Sequence, residues 1–549
     1  MAHPLANGCS SFFLAENSNT RPTSRTFIET LIVEWFDASP DGYTRPILGI
    51  NGTFPAPTII VQKGDRINIT VVNRAKNSTT IHWHGMDQRN SLTMDGVPGL
   101  TQCPILSGSS YNYMFDTGDQ AGTFWYHSHY SIQYGDGLKG ALIIQDPGDP
   151  WKSFYYDEDI LQLSDWYHTP LDILLKPVIT HDVVEPTPET GLINGIGQYN
   201  CTTTNNCSYY RTTIRPNTTK RFRIISTAVY VTITLTIDQH EMRVIEADGI
   251  NLNGNTVVRS LRLNPGQRYS VLVTAKQTYN QSYWIRATLH PPHTFYHGIF
   301  DPIVQPNVSA ILAYVNDINL NVTAVKPSMD TFDNDAMIIQ QSILDARQYS
   351  DEPGIVPMNT SKYRVPTDGS IRTIIYDSMH EGSEPGGFYF NNLTFTHGDN
   401  STLLAAVLNN NLADINGQPG NRIEAGEIID LVINNINIGS HPFHLHGHPT
   451  WLLAVGPSDG GYYNESTRNQ IVYNIENATC RDTITVNSNS YIVFRFKANN
   501  PGVWMMHCHN DWHVQLGMAM VFIESPDLVR ASFANQASIA QSQSSCSHH

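Results

Sequence analysis

A chain of 549 residues is several times longer than an ordinary domain, so it divides into two to four folding units with ample core, and a single small motif domain is excluded. Hydrophobic residues at 40% against 15% charged exclude global disorder, and 38 Gly, 31 Pro, 26 Tyr and 20 Phe give the turn-rich, aromatic profile of secreted β proteins. A net charge of −16 without a Lys/Arg cluster argues against a nucleic-acid partner, and a mean hydropathy of −0.28 with no apolar run near ~18 to 20 residues argues against a membrane span.

From Met1 through Cys9 to Leu14 no basic stretch leads into an apolar core, so any signal peptide is already removed or replaced. The first strong element is residues 66–72 (RINITVV), whose alternation predicts a strand. It leads into His82-Trp83-His84-Gly85. Met94-Asp95-Gly96 follows, then residues 122–129 (GTFWYHSH) and a hydrophobic strand at 140–144. A Pro/Asp-rich stretch at 147–157 closes this unit. In the middle third, strands are predicted at 220–225, 232–237 and 268–274. His290, His293 and His297 (HPPHTFYHG) read as a loop without a metal role, because a Pro-Pro pair interrupts them and no carboxylate accompanies them. Residues 317–365 lack periodicity. Beyond them the first pattern returns: a strand at 427–433, His441-Pro442-Phe443-His444-Leu445-His446-Gly447-His448, a strand at 491–496, residues 502–509 (GVWMMHCH) and a hydrophobic strand at 518–523. Ser525-Pro526 predicts an N-cap and first residue of a short terminal helix.

The first and last thirds thus read as two copies of one β unit, and the middle third as a related unit without His-x-His pairs. The expected fold is mainly β, with three sandwiches: 1–147, 148–316 and 317–549. Fourteen Asn-x-Ser/Thr sequons predict a secreted glycoprotein. Of the seven cysteines one is left over, and Cys508, between two histidines, is the candidate metal ligand.

On a strand, residues i and i+2 face one side, so each His-x-His pair projects two imidazoles into one space. His82, His84, His127, His129, His444, His446, His507 and His509 therefore predict one cluster for several metal ions. Cys508 points the other way, and His441, an odd step from His444 and His446, shares its side. With His513 and a weak axial Met518 this second site has the composition of a blue-copper electron-transfer centre.

These motifs, HWHG, HSH, HPFHLHGH and HCHNDWH in this order, resemble those of the fungal multicopper oxidases, the laccase and ascorbate oxidase family, over essentially the whole chain. The resemblance implies three cupredoxin-like Greek-key domains and four coppers: a type 1 ion on His441, Cys508, His513 and Met518; a type 2 ion on His82 and His444; one type 3 ion on His84, His127 and His509; and the other on His129, His446 and His507. It implies reduction of O₂ to water, with protons handled by Asp95 and Asp511 and electrons received through His513. It implies a secreted monomer acting on a small electron-rich reductant, a phenol or aminophenol, with neither a nucleic acid nor a membrane as partner. Ascorbate oxidase, an Fe(II) or Cu(I) metallo-oxidase and a copper-binding protein without turnover are the alternatives. The metallo-oxidase is disfavoured because no acidic cluster stands near Tyr230, where related laccases carry an acid. Trp166 and Phe388 match aromatic shelves of ascorbate oxidases. The resemblance also pairs Cys103 with Cys546, and leaves Cys201, Cys207, Cys9 and Cys480 open.

Overall fold

In the computed structural model, residues 24–201, 207–277, 281–291, 303–315, 355–358, 361–380, 387–396, 401–411, 419–464, 466–534 and 546 are described. Their strands form three pairs of sheets. In the first unit Thr26–Ala38 runs parallel to Arg66–Asn73 in a four-stranded sheet. The facing sheet has the order Ile59–Gln62, Lys139–Gln145, Gly122–His127, His82–His84. The burial of Arg66–Asn73 alternates along the strand, which is why its period-2 pattern is readable.

The third unit repeats this plan. Gly420–Ile423, Ala519–Glu524, Gly502–Cys508 and His441–Leu445 pair in the same order, with Thr483–Val486 added at the edge. The long-range repeat in the sequence is therefore a repeat of sheet topology, and the histidine motifs fall on equivalent strands. The middle unit, from Asp157–Trp166 to Asn307–Tyr314, has the same two-sheet plan. All the strands predicted from alternation are present to within one or two residues at their ends.

The terminal helix, Pro526–Phe533, has its proline at the start and Ser525 at the N-cap, as expected, and the Ser525 carbonyl accepts from Leu528 N–H and Val529 N–H. Ser525 is left-handed at φ 48° with no side-chain capping hydrogen bond. Its N–H is donated to Ile423 O, in the neighbouring strand. Cys103 is bonded to Cys546 and Cys201 to Cys207; Cys480 and Cys508 are buried thiols. Cys9, His293, His297 and most of 317–365, including the expected second boundary, lie outside the described residues.

Candidate metal centre

Strand register brings the histidines together. His82 stands opposite His127, and His444 opposite His507. The edge shared by the first and third units gathers all eight imidazoles. His84 Nδ1 lies 3.2 Å from His509 Nε2. His507 Nε2 lies 3.2 Å from His446 Nε2 and 3.4 Å from His129 Nε2. Two triads, His82/His84/His127 and His129/His446/His507, each present ligand atoms within 4.8 Å of one another, as does His82/His444/His446.

The far nitrogens are held by acceptors. His82 Nδ1 is 2.6 Å from the Asp95 carbonyl, His127 Nδ1 is 2.9 Å from Ser128 O, and His507 Nδ1 is 2.9 Å from Cys508 O. His446 Nδ1 is 2.9 Å from the Asp95 carboxylate. An imidazole that donates through one nitrogen presents the other as a lone pair. Asp95 accordingly sits beside the rings as expected. Burial opposes its charge, but His446 and His82 outweigh burial and hold its carboxyl far below the usual carboxylate range.

On the other side of Gly502–Cys508 the Cys508 sulfur faces His513 Nδ1 at 3.5 Å and His441 Nδ1 at 3.8 Å, and these two nitrogens are 3.0 Å apart. Met518 is fully buried next to them. Its N–H is donated to His513 O and its carbonyl accepts from Cys508 N–H.

The donor chemistry fits copper. Burial lowers the proton affinity of His84, His127, His507, His509 and His513 well below the ordinary value, and brings His441 and His446 to about 3. All are neutral at pH 7, the ligating form. Nε2 of His82, His127 and His444 is buried without a hydrogen-bond partner, a state that costs about 1 to 3 kcal/mol per group unless something else takes the lone pair. Burial also pushes the Cys508 thiol up, so its thiolate requires a metal ion beside it.

Comparison with known proteins identifies the arrangement. The multicopper oxidase domain families match residues 32–149, 157–317 and 389–528. The chain belongs to the multicopper oxidases. Iron transport multicopper oxidase FET3 of Gibberella zeae is 32% identical over 527 residues, 94% of this chain and 78% of that protein. Laccase-2 of Thanatephorus cucumeris is 29% identical over 578 residues, 90% of each. The crystal structure of Fet3p, a multicopper oxidase that functions in iron import, aligns with a TM-score of 0.78 at 30% identity, covering 95% of this chain and 96% of that one. The laccase of Botrytis aclada aligns at 0.77 and 29%, covering 95% and 93%. The three domains are thus cupredoxin-like. Members of the family bind four coppers, of types 1, 2 and 3, and use O₂ as acceptor.

Around the blue-type site of this multicopper oxidase, Phe388 packs on His513 with ring centroids 4.5 Å apart, and Tyr230 meets it edge-on at 6.5 Å. Trp166, expected as a substrate shelf, is not there. It is fully buried, with the Arg45 guanidinium 4.0 Å over its ring and Phe54 packed at 5.1 Å, so it has no face left for a substrate. Its neighbour Asp165 matters more than the sequence suggested: its carboxylate accepts the N–H groups of Val229, Tyr230 and Val231 and shapes the loop beneath His513.

Two functional candidates were missed from sequence. Glu185 Oε1 lies 3.8 Å from His513 Nε2, both side chains buried. It follows the helix Leu171–Ile179 in a segment held by Tyr167 Oη donating to Pro186 O and by His168 N–H donating to Glu189. Asp482 contacts both His84 and His444. Neither belongs to a histidine motif, so only the fold brings them in.

Asp511 begins the short helix Asp511–Gln515 and lines a small cavity with His127, His129, Tyr134, His507 and His509. Burial, with the negative Asp165 adding and a hydrogen bond from Gln515 opposing, pushes its carboxyl up to about 8. Asp511 therefore keeps a proton at neutral pH and can release it toward the cavity. We expect Asp511→Asn to retain the blue colour and to lose about 10²-fold or more in kcat at pH 7. The loss is smaller near pH 5, where solvent supplies protons. In the copper-free chain the same shift has a definite sign. Between about pH 4 and 8 the native state holds a proton that the unfolded state lacks, so stability falls as pH rises. The Asn variant is expected to show a flatter pH dependence of thermal unfolding. An unchanged rate profile removes Asp511 from proton delivery.

Proposed function

We propose that the chain is a metallo-oxidase that takes electrons one at a time from Fe(II) beside His513 and passes them to O₂. The observation that carries this reading is the buried Glu185 carboxylate against the outer nitrogen of His513. A hard cation seeks an anionic oxygen. An anion beside iron favours Fe(III) over Fe(II), which makes the electron easier to remove. The similarity to iron transport oxidases supports the same donor, so Fe(II) replaces phenol as the first reading. When bound, copper supplies one-electron oxidation at the blue site and four-electron reduction of O₂ to water at the trinuclear one.

In this reading His441, Cys508, His513 and Met518 hold the type 1 ion, and His82 and His444 the type 2 ion. His84, His127 and His509 hold one type 3 ion, and His129, His446 and His507 the other. Cys508 is bonded through the chain to His507 and His509, giving a covalent route between the sites. Asp95 orients His82 and His446, and Asp511 delivers protons. Secretion as a glycoprotein is supported by the sequons at exposed Asn77, Asn217, Asn307, Asn392 and Asn477 and by the disulfides Cys103–Cys546 and Cys201–Cys207. Among the described residues no helix is long and apolar enough to cross a membrane.

A phenolic donor is the second reading. It is favoured by Phe388 on His513 and by the exposed Val183 and Val184 that precede Glu185, an apolar rim that suits an aromatic ring. Oxygen uptake with Fe(II), a phenol, an aminophenol and ascorbate separates the two. We expect Fe(II) to have the highest kcat/KM. Glu185→Ala should lower it by about 10- to 100-fold, the loss of a charged contact worth ~1.5 to 3 kcal/mol, with phenol oxidation changed little. A phenol preference insensitive to Glu185 would establish the second reading instead.

A further inference from the structure

The middle domain supplies none of the histidines or the cysteine, yet one of its turns reaches the trinuclear site. Residues 264–267 join the strands Ser260–Leu263 and Arg268–Thr274. Asn264 Nδ2 donates to Thr485 Oγ1 at 2.8 Å, and Gln267 Nε2 donates to Thr483 O at 3.2 Å. Arg268, with no exposed surface, forms two parallel hydrogen bonds to Asp482, each 2.7 Å. Its Nε donates to Thr123 O in the first domain and its Nη1 also to Gly266 O. One guanidinium thus ties together all three domains.

Asp482 is where this tie meets the metal site. It lies at the start of the edge strand Thr483–Val486, where Thr483 stands opposite His444. Its Oδ1 is 3.3 Å from His84 Nε2 and 3.5 Å from His444 Nδ1, and it accepts from Thr483 Oγ1 at 2.8 Å. The Asp482 carbonyl is a further 3.0 Å partner of His444 Nδ1. His84 comes from the first domain and His444 from the third, so a single carboxylate orients one ring from each. With Nε2 of His84 held by Asp482, Nδ1 of His84 is the nitrogen turned to His509. With Nδ1 of His444 held, Nε2 is the nitrogen turned inward.

We infer that Arg268 is a positioning residue of the trinuclear copper site, acting through Asp482 on His84 and His444. This rests on the assignment of those two rings to that site under the proposed function. A carboxylate has about four lone-pair positions. The planar fork of arginine takes one on each oxygen in fixed directions, which fixes Oδ1 facing Thr483 Oγ1 and the two rings. A lysine supplies the charge without the fork.

The neighbouring ion pair provides the internal contrast. Asp248 of the middle domain binds Arg481 of the third at 2.9 and 3.1 Å, also fully buried; Asp248 accepts as well from the Arg268 N–H at 2.8 Å and lies 3.5 Å from its guanidinium, so the two pairs adjoin. The Arg481 guanidinium ends on Asp248 and the Tyr269 hydroxyl, whereas that of Arg268 ends on Asp482, the carboxylate that faces the two imidazoles. Orienting partners of metal ligands typically change metal affinity by about 10- to 100-fold when removed.

The test uses copper-loaded full-length protein: wild type, Arg268→Gln, Arg268→Lys and Arg481→Lys. Blue absorbance, the electron paramagnetic resonance signal of the type 2 ion and the rate of copper loss to EDTA are measured on each. We expect Arg268→Gln to keep its blue absorbance, to show an altered type 2 signal and to lose copper about 10- to 100-fold faster than wild type. Arg268→Lys should fall between the two, and Arg481→Lys should match wild type in signal and copper loss even where its thermal stability drops. If Arg268→Gln does not fold, Arg268→Lys decides: copper loss no faster than in Arg481→Lys overturns the proposal. An unchanged type 2 signal and copper loss in a folded Arg268→Gln also overturns it. A wild type without any type 2 signal would overturn the assignment of the site, and the proposal with it.

Discussion

Cys508→Ser is expected to yield a folded, colourless protein that holds one copper fewer than the four of the family and oxidises neither Fe(II) nor phenols. The side chain is fully buried in the largest apolar cluster. Exchanging sulfur for a hydroxyl there costs about 1 to 3 kcal/mol, too little to unfold three domains. The chemical consequence is larger. A hydroxyl does not replace thiolate as the soft ligand of a blue site, and the position one residue from both His507 and His509 no longer carries an electron acceptor. Copper content, visible absorbance and oxygen uptake check this together. A colourless variant with full turnover would show that reductants reach the histidine cluster directly and would sink the relay through Cys508. A wild type that binds copper without taking up oxygen would instead support the copper-binding alternative.

What the sequence made legible was whatever is written locally. Period-2 alternation located the strands because each buries one face, as Arg66–Asn73 does. The odd spacing of His441 from His444 and His446 separated two metal sites because strand geometry is the same in every protein. The repeated motifs placed the ligands on matching strands of two domains. The reading failed where a residue's neighbours come from another domain. Trp166 resembles a shelf in its own segment, and only the arrival of Arg45 and Phe54 from the first domain buries it. Glu185 is a lone acid between two valines and a proline, with nothing nearby to announce His513. Tyr230 stands where related laccases carry an acid, and the carboxylate that faces His513 comes from a different loop of the middle domain. Arg268 and Asp482 are ordinary charges in ordinary strands until their pairing is seen.

Gly266→Ala is expected to damage the histidine cluster while sparing the blue site, although residue 266 carries no ligand. Gly266 has φ +84°, a conformation that costs an alanine about 1 to 2 kcal/mol. That cost alone would be tolerable in a protein of this size. The space is not: a Cβ here would stand 2.6 Å from Cδ2 and 3.0 Å from Nε2 of His509, closer than real contacts allow. The ring has no easy retreat. Nε2 of His509 faces His84 Nδ1 at 3.2 Å, and Trp125 packs beside it at 5.5 Å. Relief must come from turning His509 or from moving the 264–267 turn, which would pull on Arg268. Either way the nitrogen that faces His84 moves by several tenths of an ångström. Misplacement by about 1 Å at a reacting centre costs about 10²-fold in rate, and here the ring is displaced while its partner His84 stays in place. We therefore expect oxygen uptake to fall about 10²-fold or more, with loss of copper from the cluster and retained blue absorbance. Equal loss of blue absorbance would mean that the turn supports the third domain as a whole, and normal turnover would mean that His509 has more room to shift than its neighbours indicate.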